Sequence, residues 1–161
     1  MNDIVFSRDV GRTLESLGLE LPKVSPPLAL YVPVRKSGRY LYVSGQIAQK
    51  DGSLVYPGQV GSVVSVEEAI EAAAECAINA LAHVAAMRGS LDGLRVVKLT
   101  GFVAASSDFK GQAKVIDGAS QVLIDILGES AGMGARAALG VSSLPLGASV
   151  EVELVLEADD N

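Results

Sequence analysis

The sequence predicts an α+β domain in which two helices pack on one face of a mixed β-sheet. Residues 66–84 and 115–127 repeat apolar side chains at helical spacing. Residues 150–157 instead alternate apolar and acidic side chains with the period of two that is typical of a strand. The predicted order is helix, three strands, helix, strand, helix and two strands, which fits one sheet layer covered by one helix layer.

Residues 1–27 are predicted to form a short helix and a proline-containing linker. Apolar residues lie at helical spacing at Phe6, Val10, Leu14 and Leu17. Gly18 follows them and should end the helix. The prolines at positions 22, 26 and 27 then favour a stiff connection. Because 161 residues suit a single compact core, we place the main domain at residues 28–161.

The next segment predicts a β-hairpin and a third short strand. Residues 28–34 and 39–44 are rich in β-branched, aromatic and apolar side chains, and Lys36-Ser37-Gly38 is the predicted turn between them. Asp51-Gly52 is a tight-turn signal that precedes the strand predicted at residues 54–56.

Capping and stop residues delimit the later elements. Ser65 and Glu68 match a capping box at the start of the first long helix, and Gly89 should end it. Residues 94–105 predict a mostly buried strand. The second long helix should stop at Gly128, and the turn at residues 145–147 separates strands predicted at 135–144 and 150–157.

Composition excludes several classes of function. Hydrophobic residues make up 49% and the mean hydropathy is +0.36. A chain of this composition has more apolar surface than a monomer of its size usually buries, so one sheet face should meet another subunit. A net charge of −6 without a basic cluster argues against nucleic acid as a partner. One cysteine and one histidine cannot assemble a His/Cys metal cluster, so no metal is expected.

The N-terminus and the hydropathy profile predict a cytoplasmic protein that does not bind membranes. The first residues, Met1-Asn2-Asp3, lack the basic and apolar regions of a signal peptide. No apolar run approaches the ~20 residues that span a bilayer. The lone cysteine also allows no intrachain disulfide, which fits a reducing compartment.

Arg136 is the main candidate for a functional residue. It stands just before the apolar run 137–141, where an isolated arginine favours an anionic ligand as its partner. The alternative is a surface arginine at a strand end that pairs with any nearby acid. Glu151 and Glu153 are open to the same alternative, since the polar face of a half-exposed strand is usually only solvated.

Three blocks of the sequence together match the pattern of one known protein family. The first block holds Tyr31 and the run LYVSGQ at residues 41–46. The second is the helix from residue 66 to 87 followed by VVKLTGFV at 96–103. The third is GARAALGVSSLP at 134–145 with VEVE at 150–153. In this order, across residues 28–157, the three blocks resemble the RidA family, also called YjgF-like or L-PSP endoribonuclease-like. The N-terminal helix indicates a longer subgroup of it.

The resemblance implies a chorismate mutase-like fold that forms a homotrimeric barrel with clefts between subunits. It implies that Arg136 binds the carboxylate of a 2-imino acid or its enamine tautomer, and that Glu151 activates the water that releases ammonia and a 2-oxo acid. Tyr31 and Ser44 match cleft-lining positions, and Gly45 would let the backbone approach the ligand. No metal or organic cofactor is implied.

Two departures from the family pattern alter the predicted pocket. Ala138 stands where the family commonly has cysteine, and Gly118 stands where it has asparagine. The changed lining keeps a second hypothesis open, a non-catalytic trimer that binds a small carboxylate. A third hypothesis, an endoribonuclease or translation inhibitor, is disfavoured by the acidic charge and by the lack of a histidine pair.

Overall fold

The computed structural model describes residues 9–24 and 29–159. The helices and strands follow one another along the chain as α1 (Val10–Leu17), β1 (Val34–Ser37), β2 (Tyr40–Ile47), β3 (Gln49–Lys50), β4 (Ser53–Leu54), α2 (Val66–Arg88), β5 (Leu94–Ala104), α3 (Gln112–Leu127), α4 (Glu129–Gly132), β6 (Ala135–Val141) and β7 (Val150–Ala158). A 3-10 turn, Pro145–Gly147, joins the last two strands.

Five strands form one sheet in the order β1-β2-β7-β5-β6. Neighbouring strands are antiparallel except β5 and β6, which run parallel because α3 and α4 return the chain between them. Helix α2 packs on β2 and β7, and α3 packs on β5 and β6 and against α2. The prediction of a mixed sheet with two helices on one face is therefore confirmed.

Strand β7 divides the sheet into a covered and an open face. Its residues Val150, Val152, Leu154 and Leu156 are at most 1% exposed and belong to the core beneath the helices. Because side chains alternate along a strand, Glu151, Glu153 and Val155 point to the other face. We call that other side of the sheet the open face, since no helix of the described residues packs on it.

Helix termini follow the predicted signals. The Ser65 side chain accepts a hydrogen bond from the Glu68 backbone, and the Glu68 carboxylate accepts one from the Ser65 backbone, so the capping box is present. Gly89 ends α2 and Gly18 ends α1, both in the left-handed conformation. Helix α1 contacts α3 and buries Val10, while Phe6 and the predicted boundary at residue 27 lie outside the described residues.

Helix α2 is more apolar than the sequence analysis expected. It spans 23 residues, and an 18-residue window has a mean hydropathy of 1.2, so length and composition alone would allow it to cross a bilayer. Half of that window is buried inside the fold, between the sheet and α3. Its apolar character is that of a core helix.

Two strand predictions near the N-terminus are wrong. The first sheet strand is Val34–Ser37, and the residues from 29 to 33 are irregular. Pro33 has no N–H to donate to a ladder, and its carbonyl instead accepts from the Ser44 backbone. The third strand is replaced by the two-residue strands β3 and β4, which pair only with each other around the Asp51-Gly52 turn. Both turn residues have positive φ, as a tight hairpin requires.

Gly118, on α3, packs directly against the backbone of α2. A Cβ at this position would lie 2.1 Å from the Ile70 carbonyl oxygen, which is backbone and cannot rotate away. The position that matches a family asparagine therefore has no room for any side chain in this chain.

Gly118→Ala should destabilise the fold by about 2 kcal/mol because the two helices must separate to admit the methyl group. Gly11→Ala in α1 is the matched control, since its Cβ would meet only the Asp9 side chain, at 3.3 Å. Alanine is the better helix former, so the control should be neutral or slightly stabilising. Urea unfolding would measure both variants, and equal midpoints would contradict the tight helix contact.

Glu157, on β7, links β5 and the turn between β1 and β2 at one end of the open face. Arg39 Nε lies 2.8 Å from its Oε1, and Arg95 donates to its Oε2. The hydrogen bond from Arg95 and the charges of both arginines lower the pKa of Glu157 below its ordinary 4.5. The folded chain thus favours the ionised carboxylate of Glu157.

Glu157→Gln should lower the free energy of unfolding at pH 7 by about 2 kcal/mol. A lowered folded-state pKa stabilises the fold above the unfolded pKa, and that contribution disappears as pH falls through the folded pKa. The difference between wild type and variant should therefore shrink below pH 4.5. Urea unfolding at pH 7 and pH 3 would test this, and a constant difference would argue against an ionic origin.

Candidate functional site

Three of the predicted site residues gather at an irregularity in β2. Val43 pairs with Leu154 and Gln46 pairs with Val152, so Ser44 and Gly45 together oppose a single residue, Glu153. This is a β-bulge, a device that redirects side chains at a sheet surface. The Ser44 hydroxyl donates to the Val32 carbonyl at 2.8 Å and so fixes the segment that carries Tyr31.

A cavity of about 480 Å³ opens beside the bulge. Its lining includes two predicted site residues, Tyr31 and Ser44, and also Arg35, Tyr42 and Glu153. Tyr31 is 48% exposed, so about half of this residue's surface is accessible. The structure therefore brings the predicted tyrosine and serine to one surface.

Glu151 lies directly over Gly45. A Cβ at residue 45 would be 1.8 Å from Glu151 Oε1, so only glycine leaves room for the carboxylate there. Burial raises the pKa of Glu151 above its ordinary 4.5, and the negative charge of Glu153 raises it further. A carboxyl group with a raised pKa is a better proton acceptor, which suits a general base.

Arg136 lies on β6, the edge strand farthest from β1. Its side chain turns to the covered face, where Nη1 donates to Asp117 Oδ1 at 2.7 Å and to Ser120 Oγ at 3.1 Å. Nη2 makes one long contact, 3.5 Å, to the Ala113 carbonyl. The side chain is 29% exposed and Asp117 is 64% exposed, so this is an ion pair at the surface. The guanidinium is therefore oriented by α3 before any ligand binds.

One chain does not bring Arg136 and Glu151 together. Arg136 pairs with Leu99 of β5 and shares its covered face, whereas Glu151 is on the open face. Strands β7 and β5 also separate β2 from β6, so the bulge and the arginine are three strand spacings apart, roughly 14 Å. A common site for them requires a second copy of the chain.

Ala138 belongs to the arginine side of the sheet. It pairs with Gly101, two residues along β6 from Arg136, and packs partly buried against the core. The alanine in place of the family cysteine therefore lines the covered face beside the arginine, away from the bulge.

The sequence analysis missed the residues that hold Arg136. Ala113, Asp117 and Ser120 follow one another on α3 at intervals of four and three, which places them on one helix face. That spacing was visible, but nothing local indicated which strand the face would meet. It also missed Arg35, which lines the cavity because β1 begins later than predicted.

Comparison with known proteins identifies the family. Residues 11–158 match the family model described as "YjgF/chorismate mutase-like, putative endoribonuclease". The chain belongs to the RidA/YjgF family. This RidA-family chain is 39% identical over 158 residues to Protein TCP17 of Trypanosoma cruzi, which covers 98% of this chain and 99% of that protein.

Two solved structures share the fold across most of their length. Atu1372 of Agrobacterium tumefaciens, a protein of unknown function, is 45% identical, with a TM-score of 0.85 and coverage of 93% of this chain and 92% of that one. A Shewanella oneidensis protein described as a "putative endoribonuclease" is 32% identical, with a TM-score of 0.88 and coverage of 93% and 99%. The RidA-family fold is therefore established for this chain.

Proposed function

We propose that this RidA-family protein is a cytoplasmic hydrolase that converts reactive 2-imino acids to 2-oxo acids and ammonia. The proposal rests on the hydrogen bonds of the Arg136 guanidinium. Asp117 and Ser120 hold its Nη1, while Nη2 has only the 3.5 Å contact and Nε has no hydrogen-bond partner among residues 9–24 and 29–159. The edge formed by Nε and Nη2 is thus suited to a bidentate carboxylate.

We infer that the complete site forms between copies of the chain in a homotrimer. Two features support this assembly. The open face exposes the side chains of Tyr42, Val97 and Leu139, which is apolar surface that a second copy would remove from water. Strand β6 also pairs on one side only, so its outer edge is suited to meet the open face of a neighbour.

The proposed chemistry needs one base and one anchor. Arg136 binds the substrate carboxylate, and Glu151 accepts a proton from a water that attacks the C=N carbon. The C–N bond of the resulting carbinolamine then breaks. The nitrogen leaves as ammonia, with its two added protons supplied by the water. The C–O bond becomes the carbonyl of the 2-oxo acid. One imine and one water give one 2-oxo acid and one ammonia. The residues of the chain suffice for these steps, so no cofactor is proposed.

Direct assay of imine hydrolysis tests this function. A pyridoxal-phosphate dehydratase acting on serine would generate 2-aminoacrylate, and pyruvate would be followed by absorbance with and without the purified protein. We expect faster pyruvate formation that is proportional to protein concentration. No acceleration with several imino acids would reject the deaminase.

The alanine at position 138, where the family commonly has cysteine, favours one second candidate, a carboxylate-binding trimer without turnover. Calorimetry that shows 2-oxo acid binding to a protein inactive on every imine would support it. RNA cleavage by highly purified protein that disappears in a point mutant would instead support the endoribonuclease description carried by relatives.

A further inference from the structure

Arg35 is the one described arginine that has no acceptor within the described part of the chain. Five others, Arg12, Arg39, Arg88, Arg95 and Arg136, contact carboxylates or backbone carbonyls. Arg35 lines the 480 Å³ cavity, and so does Glu153, yet the two form no ion pair. The cavity thus presents a guanidinium whose donors are not used by the residues around it.

The register places Arg35 on the open face together with the bulge residues. Arg35 pairs with Tyr42, and Tyr42 pairs with Val155, which alternates with Glu153 and Glu151 along β7. Val155 and Glu151 are four residues apart, roughly 13 Å along the strand, and β1 lies two strand spacings, roughly 10 Å, from β7, so the Arg35 and Glu151 backbones are roughly 16 Å apart. The extended arginine and glutamate side chains together cover more than half of that distance. A ligand whose reacting carbon lies near Glu151 would therefore reach Arg35 with a group at the far end of its side chain.

The proposed assembly makes an anion at Arg35 more favourable still. If a second copy covers the open face, Arg35 loses its contact with water. Without an anionic partner, nothing would offset the cost of that desolvation. Tyr31 and Tyr42 line the same cavity, and a tyrosine hydroxyl can donate a hydrogen bond to an anion. The lining of this cavity also includes Ser44 and Glu153, which belong to the bulge that contains Gly45.

From this arrangement we propose that Arg35 binds a second acidic group of the substrate, so that the preferred substrates are imino acids with a carboxylate in the side chain. This inference rests on the proposed function and adds the substrate class to it. Arg136 holds the carboxylate next to the imine, and Arg35 holds the distal one. Imino acids with neutral side chains would lack the distal contact.

Binding of stable product analogues separates the two roles. Calorimetry would compare 2-oxoglutarate, which has a distal carboxylate, with 2-oxobutyrate, which has none, on wild type, Arg35→Gln and the control Arg12→Gln. We expect wild type to bind 2-oxoglutarate at least tenfold more tightly, since a hydrogen bond to a charged group contributes about 1.5–3 kcal/mol. Arg35→Gln should remove that preference and leave 2-oxobutyrate binding unchanged, and Arg12→Gln should change neither.

Other outcomes distinguish this inference from the function on which it rests. If both 2-oxo acids bind equally and Arg35→Gln changes nothing, the distal contact is wrong, while binding that depends on Arg136 still supports the proposed function. If neither acid binds and no imine is hydrolysed, both proposals fall. If Arg35→Gln instead dissociates the assembly in sedimentation velocity, Arg35 pairs with a neighbouring copy and the distal contact is overturned.

Discussion

Arg136→Ala should abolish carboxylate binding and lower kcat/KM for imine hydrolysis about 1000-fold, with the fold preserved. The loss reflects two charged hydrogen bonds to a carboxylate, each contributing about 1.5–3 kcal/mol. The fold should tolerate the change because the arginine lies on an edge strand and its pair with Asp117 is at the surface. Such pairs contribute about 0–1 kcal/mol to stability. Calorimetry, the pyruvate assay and urea unfolding would measure the three quantities.

Three further variants identify the cause of the loss at Arg136. Arg136→Lys keeps the charge without the planar fork and should recover only part of the binding. Asp117→Asn keeps an acceptor for Nη1, so the arginine should stay oriented and the activity should change little. Arg12→Ala removes an exposed arginine on α1 and should have no effect. Full activity of Arg136→Ala would mean that another group anchors the substrate.

Glu151→Gln should lower kcat at least 100-fold while the affinity for 2-oxo acids changes little. A positioned general base typically contributes 10²–10⁴-fold, and glutamine keeps the size of the side chain without a basic oxygen pair. Because the base works ionised and its pKa is raised above 4.5, the wild-type rate should fall as pH drops through that raised value. A variant that loses binding and kcat equally would indicate a structural role for Glu151.

Glu153→Gln offers a matched control on the same strand and face. Its charge is one of the two causes of the raised pKa of Glu151, so removing it should lower that pKa. The acid limb of the kcat profile should then move to lower pH, while the maximal rate is largely kept. An unchanged acid limb would mean that burial alone sets the pKa of Glu151, or that another group controls the rate.

The elements that sequence patterns predicted correctly are specified by neighbouring residues. The capping box at Ser65 and Glu68 and the left-handed glycines Gly18 and Gly89 depend on contacts within a few residues. The alternation in β7 predicted its two faces because one face is covered by helices and the other is open. Residues 29–33 have strand-like composition, yet proline removes the donor that a ladder would need there.

The site was only partly predictable because strand order is a long-range property. Nothing in residues 135–158 reveals that β5 inserts between β6 and β7, although this insertion separates Arg136 from Glu151. The contact between Glu151 and Gly45 likewise joins positions more than a hundred residues apart in the chain. The resemblance named Arg136, Gly45 and Glu151. Only the folded chain showed that Asp117 and Ser120 hold Arg136 and that Glu153 lines the cavity.

Positions 45 and 151 share one space, because the Glu151 carboxylate lies where a side chain at residue 45 would be. Any side chain at residue 45 would push Glu151 away, whereas aspartate at 151 would shorten the acid by one methylene group and vacate part of the space that a methyl at 45 needs. Alanine at 45 should therefore be far more harmful alone than combined with aspartate at 151. Among proteins that keep this bulge, the residues at positions 45 and 151 should vary together. A longer acid at position 151 should occur with glycine at position 45, and a shorter acid should allow a larger residue there.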